Sequence, residues 1–192
     1  MVLGYADTAV YHFFKKGIIM VRHALSALLF TGAISVALTV PAAAPANAAD
    51  DDNLIIQNTG NLKCLQPAGG SVDNGAPIVQ EPCDPTNDAQ KWVRQFNGDF
   101  TNRLVNKHSL KCLDARGGAT NGTPVQQWTC NSISNEKWAA ANFLPAVTQV
   151  VSRVSNTTSH CLDNPSQGTA DGAPMQIFAC NTTPAQVWFV GS

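Results

Sequence analysis

Past residue 53 the apolar positions come in short runs, some alternating with polar ones: Leu54-Ile55-Ile56, Pro124-Val125-Gln126-Gln127-Trp128, Gln149-Val150-Val151 and Pro174-Met175-Gln176-Ile177-Phe178. Runs of this length, bounded by Gly, Asn, Asp and Pro, predict β-strands, and no segment shows the 3.6-residue periodicity of an amphipathic helix. Asn74-Gly75, Asn121-Gly122 and Asp171-Gly172 favour tight hairpin turns between such runs. The expected fold class is all-β.

The N-terminus reads differently. Arg22 and His23 precede an uncharged stretch from Ala24 to Val40 and a Pro/Ala-rich segment ending Ala46-Asn47-Ala48. A charged start, an apolar centre and an A-x-A site predict a secretory signal peptide over residues 1–48, with Met20 as a second candidate start. The alternative is a membrane anchor, since about 17 apolar residues is the lower limit for spanning. The small-residue cleavage site and the following Asp50-Asp51-Asp52 argue against it, and the first cysteine, Cys64, comes too late for lipidation at the cleavage point. The expectation is a secreted, extracellular protein without stable membrane insertion, with a short tail (49–53) and one domain (54–192).

That domain repeats itself. Cys64-Leu65-Gln66, Cys112-Leu113-Asp114 and Cys161-Leu162-Asp163 recur at intervals of 48 and 49 residues. The turn glycines Gly75, Gly122 and Gly172 each precede a second cysteine (Cys83, Cys130, Cys180) by eight residues. Each unit then closes on Gln90/Trp92, Glu136/Trp138 or Gln186/Trp188. Three repeats result, at about 54–100, 101–146 and 147–192, and a unit this small buries no core alone. Three must close round a shared axis, as in a pseudo-threefold barrel.

Each repeat holds two cysteines, 19, 18 and 19 residues apart, so the economical pairing is Cys64–Cys83, Cys112–Cys130 and Cys161–Cys180, consistent with an oxidising compartment. No C-x-x-C or His-rich cluster suggests a metal, and no cofactor is expected. Residues 49–192 carry nine basic and twelve acidic side chains, a balance that argues against nucleic-acid binding.

These motifs resemble the ricin-type β-trefoil lectins, also called ricin B-chain-like or family 13 carbohydrate-binding modules. The resemblance rests on C-L-D, N/D-G-x-P, Q-x-W/F-x-C and the closing Q-x-W, and spans essentially residues 54–190. It implies a β-trefoil of twelve strands, a six-stranded barrel with a three-hairpin cap, and up to three shallow sugar sites. The pattern's contacts map in the second repeat to Asp114, Gln126, Trp128 and Asn135, with Glu136 in place of the usual Gln. In the third they map to Asp163, Gln176, Phe178 and Gln186, with Ala185 in place of Asn. In the first repeat Gln66 replaces the carboxylate, Pro82 the aromatic and Ala89 the asparagine, so no working site is expected there.

The chemistry agrees with that assignment. A sugar ring presents hydroxyls at its rim and C–H groups on one face, so it needs an acceptor and an aromatic plane. Period-two geometry puts Gln126 and Trp128 on one strand face, with Asp114 approaching across the hairpin. Two readings of Asp114 and Asp163 stand: ligand acceptors, or caps for local turns. Trp92, Trp138 and Trp188 recur even in the degenerate repeat and read as core. His108 and His160 have no Ser or Cys partner in a catalytic signature, and no enzyme is expected. Asn121, Asn156 and Asn181 fit the N-glycosylation pattern.

The leading expectation is a non-catalytic carbohydrate-binding protein for galactose-containing glycans or a polysaccharide such as xylan. A targeting subunit for a separate hydrolase or toxin, and a protease inhibitor or scaffold without sugar binding, are the alternatives.

Overall fold

A computed structural model describes residues 51–140, 145–155 and 159–192. Residues 1–48, expected to be a signal peptide, and the Asn156-Thr157-Thr158 sequon lie outside the described residues. The first repeat contributes β1 (Asp51–Asn58), β2 (Lys63–Pro67), β3 (Ile78–Pro82) and β4 (Trp92–Phe96). The second contributes β5 (Asn102–Asn106), β6 (Cys112–Ala115), β7 (Thr123–Trp128) and β8 (Trp138–Ala139). The third contributes β9 (Ala146–Thr148), β10 (Val151–Ser152), β11 (His160–Asp163), β12 (Gln176–Ala179) and β13 (Trp188–Gly191).

Antiparallel pairing closes a ring. β1 pairs with β4, β4 with β5, β5 with β8 and β8 with β10, while β9 pairs with β13 and β13 returns to β1. Because β9 and β10 share one side of the ring, this is a six-sided barrel. The hairpins β2–β3, β6–β7 and β11–β12 form its cap. The fold is a β-trefoil, with thirteen strands among the described residues instead of twelve. The extra one arises at Gln149-Val150, expected inside a strand, where the chain leaves β13 for the β8/β11 pairing. Val150 is still fully buried, and its carbonyl accepts from Leu162 N at 2.8 Å. β1 also begins at Asp51, inside the segment expected to be a tail, with a bulge between Asp51 and Leu54 where Asn53 takes φ 70.

The core repeats threefold. Leu65, Leu113 and Leu162 are buried completely, as are Trp92, Trp138 and Trp188. Each indole donates to the leucine carbonyl of its own repeat: Trp92 to Leu65 at 3.3 Å, Trp138 to Leu113 at 2.9 Å and Trp188 to Leu162 at 2.9 Å. Burying a Trp demands a partner for its N–H, and each closing tryptophan thereby fixes the strand carrying the Cys-Leu motif. Disulfides join Cys64–Cys83, Cys112–Cys130 and Cys161–Cys180, as the repeat spacing predicts.

The cap hairpins interlock in sequence. Gly75 N donates to Gln127 O, Gly122 N to Ile177 O and Gly172 N to Gln80 O, at 2.9–3.0 Å, so each repeat's turn docks on the next repeat's strand. Side chains reinforce two of these joints: Asn74 Oδ1 accepts from Thr129 N at 2.8 Å and Asn121 Oδ1 from Ala179 N at 2.7 Å. At the third, Pro82 stands where the donor would be and has no N–H, and Asp171 pairs with Lys63 instead.

Candidate functional site

Strand register decides which side chains share a cleft. In β6–β7 Cys112 faces Trp128 and Asp114 faces Gln126; in β11–β12 Cys161 faces Phe178 and Asp163 faces Gln176. In β2–β3 the same register sets Cys64 opposite Glu81 and Gln66 opposite Val79. This corrects the expectation for the first repeat. Glu81, not Pro82, occupies the aromatic's place, and Pro82 lies one residue on, opposite Lys63. Val79 also removes the glutamine. With Gln66 and Ala89 added, the first repeat keeps only Gln90 of the pattern's contact groups.

The second-repeat cleft has a volume of about 420 Å³ and brings Asp114, Gln126, Trp128 and Asn135 together. Trp128 is 39% exposed, whereas Asp114 is only 2% exposed. Gln126 Nε2 donates to Asp114 Oδ1 at 2.9 Å, fixing the carboxylate across the hairpin. Burial pushes the Asp114 carboxyl above the ordinary aspartate range, and the bond from Gln126 opposes part of that rise. The result is an oriented acceptor beneath an exposed indole.

The third-repeat cleft, about 360 Å³, is lined by Asp163, Gln176 and Phe178, and Asn181, Thr183 and Ala185 close its rim. Phe178 is 37% exposed. Gln176 Nε2 donates to Asp163 Oδ1 at 2.7 Å, and Gln186 Nε2 donates to Asp163 Oδ2 at 3.0 Å. Both oxygens of Asp163 therefore have internal donors.

Glu136 and Gln186, expected as ligand contacts, are fully buried and line neither cleft. Their station is behind the site. Gln90 Oε1 accepts from Asp84 N at 2.8 Å and its Nε2 donates to Gln66 Oε1 at 2.9 Å; Gln186 does the same for Asn181 N and Asp163. Glu136 keeps only the accepting half, taking Asn131 N at 2.9 Å and Ser132 N at 3.0 Å. An ionised carboxylate has no proton to donate, so Asp114 Oδ2 lacks the bond its counterpart Asp163 receives.

The clefts also use residues that the repeat pattern does not assign to them. Gly75, from the first repeat, lines the second-repeat cleft: a Cβ there would stand 3.7 Å from the Trp128 ring, and φ +83 disfavours any other residue. Gly122 is placed the same way against Gln176, with φ +84. Arg116, Gly117 and Ile133 complete the second-repeat lining. The head-to-tail docking of the turns makes the second-repeat cleft composite, which its turn glycine could have signalled. His108 is exposed and His160 buried, and neither lines a cleft. Among the described residues no group of three or more His, Cys, Asp or Glu is arranged to hold a metal.

The family described as ricin-type beta-trefoil lectin domain-like matches residues 46–128 and 94–177, together more than half of the chain. Among solved structures, the designed threefold-symmetric protein ThreeFoil superposes with TM-score 0.66 at 25% identity, over 71% of this chain and 96% of its own. An exo-beta-1,3-galactanase from Clostridium thermocellum gives TM-score 0.66 at 26% identity, over 74% of this chain and 30% of its own. The ricin B-like lectin of Macrolepiota procera, solved in complex with lactose, gives TM-score 0.61 at 17% identity, over 76% and 99%. No relative is found among curated proteins. Three Cys-Leu hairpins round a six-sided barrel, with the family match across them, make this chain a member of the ricin-type β-trefoil lectin domain-like family.

Proposed function

We infer that this protein is a secreted, non-catalytic carbohydrate-binding protein that holds galactose-containing glycans, with plant-type polysaccharide such as xylan as the second ligand class. The carrying observation is that an exposed aromatic ring and a buried, oriented carboxylate share one cleft twice: Trp128 with Asp114 and Phe178 with Asp163. The ring offers a face for sugar C–H groups, and the carboxylate accepts from adjacent hydroxyls, a charge-assisted bond of about 1.5–3 kcal/mol. The lactose-bound lectin of the same fold supports the galactose preference.

Two shallow clefts on one rigid cap suit a ligand that repeats. Engaging both multiplies affinity by about 10²–10⁴, so polysaccharides and clustered glycans bind better than free monosaccharides. A second reading, a targeting subunit for a separate hydrolase or toxin, is favoured by one fact: the galactanase carries its similar domain in 30% of its length.

The test is a glycan and polysaccharide screen on the disulfide-intact protein beside Asp114→Ala and Trp128→Ala. Binding to galactose-bearing or xylan ligands that weakens in both variants supports the reading. A folded protein that retains no glycan overturns it.

A further inference from the structure

The turn Ser134–Glu136 has two sides. Ile133 and Asn135 line the Trp128 cleft, whereas Ser134 and Lys137 line a separate cavity of about 450 Å³ completed by Asp99, Phe100, Thr101 and Arg153. None of the Asp, Gln or aromatic residues of the two clefts contributes to it.

Phe100 is the first sign that this cavity is built for a ligand. Its side chain is 90% exposed while its backbone sits at φ 61, a left-handed conformation that bulky residues rarely adopt. No burial of the ring offsets that strain. The loop nevertheless fixes it: Asn97 N donates to Thr101 O at 2.9 Å, Asn97 Nδ2 to Thr101 Oγ1 at 2.9 Å and Thr101 N to Asp99 Oδ1 at 3.2 Å. Lys137 Nζ anchors the loop from the neighbouring repeat, 2.7 Å from Asp99 Oδ2. A strained aromatic, held rigidly in water, is a preorganised contact surface.

Charge is the second sign. Lys137 and Arg153 face one carboxylate, Asp99, so the cavity carries a net positive charge. Asp99 occupies Lys137, but the exposed Arg153 guanidinium makes no hydrogen bond or ion pair among the described residues, although Arg153 N is tied to Lys137 O at 2.8 Å. A guanidinium is a planar fork that matches a carboxylate or sulfate in two parallel bonds. Nearby, Arg103 is turned away towards Ser132 Oγ at 3.1 Å.

We propose that this cavity is a separate saccharide subsite for an anionic sugar residue, one bearing a carboxylate or a sulfate ester, stacked on Phe100 and paired with Arg153. It neighbours the Trp128 cleft across a single turn, so a polymer with alternating neutral and acidic residues could engage both. The assignment does not depend on sugar binding at that cleft.

The test is a backbone-amide NMR titration of the full chain with methyl glucuronide and with galactose 6-sulfate, using methyl glucoside as the neutral control at constant ionic strength. Saturable shifts are expected at Phe100, Thr101, Ser134 and Lys137 with at least one anionic sugar and none with the neutral one; which anion binds identifies the group. Arg153→Gln should weaken binding about ten-fold and Phe100→Ala about five-fold, as loss of one forked ionic contact and one stacking face implies. Both side chains are exposed, so folding survives. Asp114→Ala should leave these shifts unchanged even if it abolishes binding elsewhere. Absent shifts, equal shifts with the neutral sugar, shifts that Arg153→Gln leaves unweakened, or shifts that Asp114→Ala removes would overturn the proposal.

Discussion

Gln186 donates to Asp163 Oδ2 at 3.0 Å, and the residue in the same station one repeat earlier, Glu136, can make no such bond to Asp114. The two clefts therefore share a plan but differ in how their carboxylates are held. Asp163 is gripped at both oxygens, while Asp114 is gripped at one.

The burial of Asp114 predicts a pH response at the second-repeat cleft. Burial raises the Asp114 carboxyl above the ordinary value of 3.8, so on acidification it protonates earlier than an ordinary aspartate and ceases to be a charged acceptor. The sign for stability is the reverse of an ion-paired aspartate: the folded state binds this proton more tightly, so its ionisation costs stability as pH rises through the folded value. Carboxyl NMR titration checks this. Glu136→Gln, which restores a donor, should move the Asp114 midpoint down, and an unmoved midpoint would refute the linkage.

Trp128 and Trp138 should separate binding from folding. Trp128→Ala should lower affinity at the second repeat about ten-fold with little change in Tm, because its ring is 39% exposed. Trp138→Ala removes a fully buried ring and its bond to Leu113 O, and should cost about 3–5 kcal/mol. Denaturant melts beside binding isotherms distinguish the two.

Gly75→Ala tests the composite cleft. The change lies in the first repeat, yet it should weaken sugar binding at the second by placing a methyl group against the Trp128 ring in the cleft, and φ +83 adds a stability cost of about 1–2 kcal/mol. Binding at the third-repeat cleft should be unaffected, readable from the Phe178 amide.

Asp99 predicts where the Phe100 loop releases. The side-chain bonds from Lys137 and then Thr101 hold its carboxyl down at about 2. That contribution is present above the ordinary value of 3.8 and is lost as pH falls through about 2, so the Thr101 amide should titrate near there. Release near pH 4 would show that Lys137 does not anchor the loop.

Reduction of the disulfides should lower stability in steps. Each closes 18 or 19 residues, a constraint on the unfolded chain of about 3 kcal/mol. Tm measured with and without reductant checks it.

Much of this was legible in the sequence because the repeats are covalently and sterically constrained. The cysteine spacing gave the pairings, the persistence of Trp92, Trp138 and Trp188 gave the core, and the Asp114–Gln126–Trp128 spacing gave one cleft wall. Trp128 and Phe178 stand two residues before Cys130 and Cys180, and the same spacing from Cys83 falls on Glu81, so this position was legible and Pro82 is one residue off the motif. What escaped had other causes. Glu136 and Gln186 sit in motif positions but point behind the clefts, which only burial reveals. Gly75 and Gly122 act on the following repeat, a relation that periodicity within one repeat cannot show. The Phe100 cavity lies between repeats, where no motif recurs.

Trp128 offers the most direct measurement. Of the four tryptophans, Trp92, Trp138 and Trp188 are fully buried and Trp128 alone lines a cleft. In an indole N–H NMR titration with a galactose-containing oligosaccharide or a xylan oligomer, the account predicts a saturable shift of the Trp128 signal with the other three nearly still. Binding that leaves the Trp128 signal in place would contradict it.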